Sequence, residues 1–156
     1  MDIALAEAEK AFKKEEVPIG CALFHRGVCI DKAHNLTNAD KDPLSHAEML
    51  CFQRLGKEYR PSEVEVVVTC EPCIMCMSLL LKLGIKKLTY GCKNPRFGGL
   101  TVFNTLKAIQ HAPFEITQER PEEGIELLQR FYTLENTRAP PEKRKLKSTR
   151  EAKILK

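Results

Sequence analysis

Val64-Glu65-Val66-Val67-Val68-Thr69-Cys70-Glu71-Pro72-Cys73-Ile74-Met75-Cys76-Met77-Ser78-Leu79-Leu80-Leu81-Lys82-Leu83-Gly84 is the stretch that decides how this chain folds. Val64–Thr69 is a β-branched run, the composition of a strand buried on both faces. Pro72 opens a helix, since proline fits a first turn whose N–H needs no helical partner, and Gly84 ends it. Lys86–Gly91 follows as another strand, so the segment reads strand, helical crossover, strand.

Toward the N-terminus, residues 2–14 set Ile3, Leu5, Ala8, Ala11 and Phe12 at helical spacing, with Pro18 and Gly20 after the stop. Ile19–Phe24 and Val28–His34, separated by His25-Arg26-Gly27, form a hairpin by pattern and turn chemistry. Asn35–Lys41 is a polar loop, after which Asp42-Pro43 opens a helix to Leu55-Gly56. Toward the C-terminus lie a glycine-rich loop, Asn94–Gly99, a weak helix near Thr101–Gln110 and a strand near Phe114–Thr117. A last helix runs from Pro121 through Leu134, with Ile125, Leu128, Phe131, Tyr132 and Leu134 on or near one stripe. The alternation predicts an α/β protein with three layers, α/β/α, around a mixed sheet whose pairing is antiparallel first and parallel later.

At 156 residues, 43% hydrophobic and 29% charged, the chain is long enough for one domain with its own core. No apolar run approaches the roughly 20 residues of a membrane span. Asp2 and Glu7 among alanines do not make a secretory signal, so the expectation is a protein that is not secreted. Seven cysteines, three of them crowded into Cys70–Cys76, suggest a metal site in a reducing compartment, cytoplasmic and/or nuclear. The net charge of +4 is uneven: residues 137–156 carry eight Lys/Arg against Glu142 and Glu151, and the rest of the chain nets −2. Residues 1–136 are therefore expected to form the domain, and 137–156 a basic tail, flexible without RNA.

His46-Ala47-Glu48 and Pro72-Cys73-Ile74-Met75-Cys76 carry the chemistry. One imidazole and two thiolates hold zinc with three protein ligands and leave the fourth tetrahedral position for water, the mark of a catalytic site. Cys73 and Cys76 are three residues apart on one helical face, where the helix dipole and a metal both favour thiolates. His46 falls in the first turns of the preceding helix, so two helix N-termini converge on one cation. Glu48, two positions from His46, points elsewhere and is placed to serve as a proton shuttle. Other readings exist: a capping box in Ser45-His46-Ala47-Glu48, a redox pair in Cys70-Glu71-Pro72-Cys73, or a closed zinc site that also uses Cys70. Cys21, Cys29, Cys51 and Cys70 read as packing residues.

These segments resemble the cytidine/deoxycytidylate deaminase superfamily, and more narrowly the tRNA-specific adenosine deaminases of the eukaryotic catalytic-subunit type. The narrower likeness rests on Glu16-Val17-Pro18-Ile19-Gly20, on Cys70–Cys76, on Tyr90–Gly99 and on Phe131-Tyr132 followed by Asn136 and a basic tail. Leu100-Thr101-Val102 departs from it, following the double glycine where that family has further glycine or serine. The resemblance implies a cytidine-deaminase-like fold with a central five-stranded sheet. It also implies zinc on His46, Cys73 and Cys76, and hydrolysis of adenosine to inosine at the wobble position of tRNA anticodons, with Glu48 as base and acid.

Asn35 stands where the family has a base-binding asparagine, and Ile19 and Tyr132 are candidates to wall the pocket, Tyr132 alternatively being a core aromatic. Lys143, Arg144, Lys145, Lys147 and Arg150 would attract the phosphates of the tRNA anticodon loop in a salt-sensitive way; a solvated tail or a localisation signal also fits them. The implied partner is a related deaminase-like subunit lacking the glutamate, with a homodimer open as well. Rival functions are a deaminase of free nucleosides, nucleotides or bases (cytidine, deoxycytidylate or guanine) and a non-catalytic zinc-binding subunit that presents RNA.

Overall fold

The structure, a computed structural model, describes residues 1–103, 115–137 and 139–144. Most of the weak helix expected near 101–110 lies outside the described residues, and residues 101–103 are turn. Among the described residues, five strands form one mixed sheet in the order β2-β1-β3-β4-β5: β1 (Gly20–His25), β2 (Val28–His34), β3 (Glu65–Cys70), β4 (Lys87–Cys92) and β5 (Glu115–Gln118). β1 pairs antiparallel with β2 and β3, and β3–β4 and β4–β5 are parallel, in the order expected from the crossovers. Among the described residues, four helices flank the sheet: α1 (Asp2–Lys13), α2 (Ala47–Arg54), α3 (Ile74–Lys82) and α4 (Pro121–Thr133).

The hairpin turn is tighter than the sequence suggests. His25 belongs to β1 and pairs with Val28, leaving only Arg26 (φ 52°) and Gly27 (φ 77°) to reverse the chain. Two left-handed residues match the right-handed twist of the strands they join. A bulge follows, because Leu23 faces Asp31 while Phe24 faces Cys29, which leaves Ile30 as the extra residue.

The two sheet faces are packed by different means. On one, Cys21, Leu23, Val66, Val68 and Leu88 alternate inward and meet Ala47 and Cys51 of α2 and Met77 and Leu80 of α3. Each large aliphatic side chain buried there contributes about 1.5–3 kcal/mol. On the other, α1 presents Ala4, Ala8 and Ala11, one turn apart and all fully buried. These alanines, rather than Ile3, Leu5 or Phe12, are the contact line, because α1 lies almost on the backbone of β1. A Cβ added at Gly20 would stand 2.0 Å from the Ala4 carbonyl oxygen.

α4 packs on the α1 side in the same way. Gly124 and Leu127 are buried, and a Cβ at Gly124 would lie 2.6 Å from the Thr69 carbonyl. That contact rotates the expected stripe outward: Ile125, Tyr132 and Leu134 are exposed, and Leu128 and Phe131 are half-buried. α2 also begins later than Asp42-Pro43 implies. Asp42 Oδ1 accepts the Leu44 N–H at 2.8 Å and closes a local turn, and the helix starts at Ala47.

Candidate active site

His46 is the residue that precedes the first turn of α2, and Cys73 the one that precedes α3. Both have extended backbones there, so their side chains turn off the helix ends toward each other, and Cys76 joins them from the first turn of α3. His46 Nδ1 lies 3.5 Å from Cys76 Sγ and 3.7 Å from Cys73 Sγ, and the three donor atoms are all within 4.8 Å of one another. A tetrahedral ion bonded at about 2.0 Å to nitrogen and about 2.3 Å to sulfur separates such donors by about 3.5 Å. Bringing together donors 27 and 30 residues apart at that spacing is what a zinc ion requires.

The electrostatics agree. The Cys76 thiol and the His46 ring hold the Cys73 thiol down at about 4, and Cys76 itself is pushed up by that neighbour and by burial. Hydrogen bonding to Cys73 raises the His46 imidazole. Two thiols and a ring thus share protons that a cation would displace. Glu48 is 3% exposed, and burial pushes its carboxyl above the ordinary value. It caps nothing: α2 has no side-chain cap, and Ser45 Oγ donates to Asp40 Oδ2 at 2.8 Å, so the capping-box reading is wrong. Cys70 lies outside the three-donor group, buried at the end of β3 beside Cys92. Cys21 and Cys51 are core as expected, whereas Cys29 is only half-buried.

Above this group opens a cleft of about 490 Å³, of a size that receives small ligands. Glu48 and His46 line it, as do Ile19, Asn35 and Tyr132. Tyr132 is 57% exposed on α4, so it is a rim residue and not a core aromatic.

Two further residues shape the cleft that sequence reasoning passed over. Glu71, 2% exposed, accepts the N–H groups of Asn94 and Leu100 at 2.9 Å each and of Thr101 at 2.6 Å. Glu16, fully buried, accepts the N–H groups of Ala39 at 2.7 Å and Asn38 at 3.2 Å. Each carboxylate pins one wall of the cleft; Glu71 interrupts an apolar stretch directly before Pro72, a signal that could have marked it, whereas Glu16 follows the charged Lys13-Lys14-Glu15 and does not stand out. Of the basic tail, Arg144 turns back on its own chain, donating to the carbonyls of Ala139 and Thr137 at 2.8 Å each. Lys143 lies in a short 3-10 turn, and Lys145, Lys147 and Arg150 are outside the described residues.

Comparison with known proteins places this geometry. Residues 1–92 match the family described as the cytidine and deoxycytidylate deaminase zinc-binding region. The tRNA-specific adenosine deaminase 2 of Danio rerio is 36% identical over 151 residues, covering 87% of this chain and 70% of that one. The tRNA-specific adenosine deaminase of Aquifex aeolicus is 41% identical over 111 residues, covering 68% and 73%. A solved structure from a study of A-to-I editing by tRNA:A34 deaminases superposes with a TM-score of 0.72 at 29% identity, covering 82% of this chain and 97% of that one.

Proposed function

The chain belongs to the cytidine and deoxycytidylate deaminase family, and from that premise we propose that it hydrolyses adenosine to inosine at the wobble position of tRNA, as a zinc-dependent catalytic chain. The observation that carries the chemistry is a buried carboxylate, Glu48, lining a cleft beside one imidazole and two thiols. The choice of tRNA is supported by the tRNA-specific adenosine deaminases to which most of the chain is similar.

His46, Cys73 and Cys76 would hold the zinc, whose Lewis acidity brings a water's pKa toward neutrality. Glu48 takes a proton from the attacking water and delivers it to N1 of adenine; it then takes the proton of the hydroxyl left on C6 and gives it to the departing amine, so that adenosine and water become inosine and ammonia. One carboxylate serves both steps because each proton lies within its reach. Asn35 and Ile19 contact the nucleoside, and Tyr132 closes the rim. A base in an anticodon loop is already partly unstacked, so turning it into the cleft costs less than it would in a duplex. A related deaminase-like chain without the glutamate is the proposed partner, and the basic residues after Thr137 are proposed to add phosphate attraction.

The test is inosine at the wobble position of tRNA after incubation with zinc-loaded protein, with and without such a partner, beside Glu48→Ala. The expected result is inosine from the wild type and a loss of about 10²–10⁴ in the variant with zinc retained. Turnover of free nucleosides or bases in place of tRNA would overturn the substrate. Zinc binding with no turnover of either would favour an RNA-presenting subunit.

A further inference from the structure

Asn35 contacts substrate in the function proposed above, and it is held on both its backbone and its side chain. Its backbone N–H donates to the Ile19 carbonyl at 3.0 Å, which ties it to the end of the hairpin. Its side-chain amide nitrogen faces two protein acceptors, Glu16 Oε2 at 3.4 Å and Thr37 Oγ1 at 3.0 Å. The same Glu16 oxygen receives Asn38 Nδ2 at 2.9 Å and the Asn38 N–H at 3.2 Å, while its other oxygen receives the Ala39 N–H at 2.7 Å. A carboxylate can only accept, so the nitrogen edge of the Asn35 amide must turn to Glu16. The carbonyl edge is the one left for the cleft that Asn35 lines.

Burying a carboxylate costs several kcal/mol unless hydrogen bonds replace its water, and Glu16 is fully buried. A neutral residue would fill the same space at less cost if packing were its only role. We infer that Glu16 is a positioning residue for the reaction: it fixes the 35–39 loop and the orientation of the Asn35 amide, and acts on the substrate through Asn35 alone. The inference rests on the reading of Asn35 as a substrate contact.

The experiment compares wild type, Glu16→Gln, Asn35→Ala and the double variant, all zinc-loaded. Gln keeps the volume of Glu16 but replaces one acceptor oxygen with a donor. In Glu16→Gln, kcat/KM is expected to fall about tenfold, mainly through KM, with zinc content unchanged. In the Asn35→Ala background the same change is expected to cost less than about twofold, since the group through which Glu16 acts is gone. Hydrogen exchange at the Asn38 and Ala39 amides needs no substrate and is expected to quicken in Glu16→Gln.

Full additivity of the two changes, an unchanged kcat/KM in Glu16→Gln, or retained protection of those amides would each overturn the inference. If the wild type does not act on tRNA, the proposed function falls separately, and the four proteins are compared on whichever nucleoside or base is turned over. Should none be turned over, the amide exchange still decides.

Discussion

The carboxylate of Glu71 accepts the backbone N–H of Thr101 at 2.6 Å, thirty residues further along the chain. Between those two residues lie both cysteines of the three-donor group and the loop that forms one wall of the cleft. The tie is reinforced at its centre, where Cys73 bridges to Gly98 and the Ile74 N–H is donated to the Phe97 carbonyl at 3.0 Å.

Replacing Glu71 by Gln would set an amide NH₂ against N–H groups that need acceptors. The expected loss is about 1–3 kcal/mol for a buried donor left unpaired, more if two are lost. Urea unfolding checks it: the midpoint should fall while the slope m stays unchanged. A variant as stable as wild type would show that the loop holds itself.

The three-donor group makes a sharp prediction among the cysteines. Cys76→Ser is expected to abolish stoichiometric zinc, because a hydroxyl does not ionise to replace a thiolate ligand. Cys70→Ala is expected to keep it, losing only about 1 kcal/mol for the small cavity left where the sulfur packed. Metal analysis of the purified proteins separates the cases. Zinc lost in Cys70→Ala would return the site to four protein ligands.

The parts of this architecture that were legible in the sequence are those governed by local periodicity. The β-branched run of β3, the proline before α3 and the hairpin's glycine each act within a few residues, and the change from antiparallel to parallel pairing followed from the hairpin and the crossovers between them. His46 with Cys73 and Cys76 was legible because few residue types bind zinc and their spacing is constrained. The helix orientations were not, since α1 and α4 approach the sheet through Gly20 and Gly124, whose effect depends on the backbone opposite. The stripe that Ile125, Leu128, Phe131, Tyr132 and Leu134 form in the sequence therefore does not show that Ile125, Tyr132 and Leu134 face solvent. Glu16 and Glu71 escaped notice for a related reason: the donors they accept lie over twenty residues away.

Acid sensitivity is expected from Glu7. Burial pushes its carboxyl up, but hydrogen bonds from Lys10 on its own helix, at 2.6 Å, and from the His34 ring on β2, at 2.9 Å, bring it below the ordinary 4.5. Lys14 lies against the other nitrogen of that ring at 3.1 Å. A folded-state value below the unfolded one means the carboxylate form contributes stability above pH 4.5, and that contribution fades as pH falls through the lower folded value. Glu7→Gln is therefore expected to be less stable than wild type near about pH 7, with the gap narrowing below about pH 4. Urea unfolding at both values checks it through the difference between the proteins, in which the shared metal site cancels. A gap independent of pH would mean that Glu7 acts by packing alone.

Gly20 and Gly27 are both in the hairpin, yet alanine should harm them for different reasons. Gly27 has φ 77° with nothing within 4 Å of a Cβ, so Gly27→Ala meets only backbone strain, about 1–2 kcal/mol. Gly20 has no positive φ, but a Cβ there would stand 2.0 Å from the Ala4 oxygen and 2.5 Å from the Ala8 nitrogen. Those are helix backbone atoms that no side-chain rotation can clear, so α1 as a whole must lift from the sheet. The cost is expected to exceed the roughly 1–3 kcal/mol of ordinary overpacking. Lifting α1 also disturbs the Gly20 N–H that is donated to Thr69 Oγ1 at 3.1 Å, next to the Ile19 that lines the cleft. Urea midpoints should therefore rank wild type above Gly27→Ala and Gly27→Ala above Gly20→Ala. The reverse order would mean that α1 yields easily, and that the alanine contact line does not hold it to the sheet.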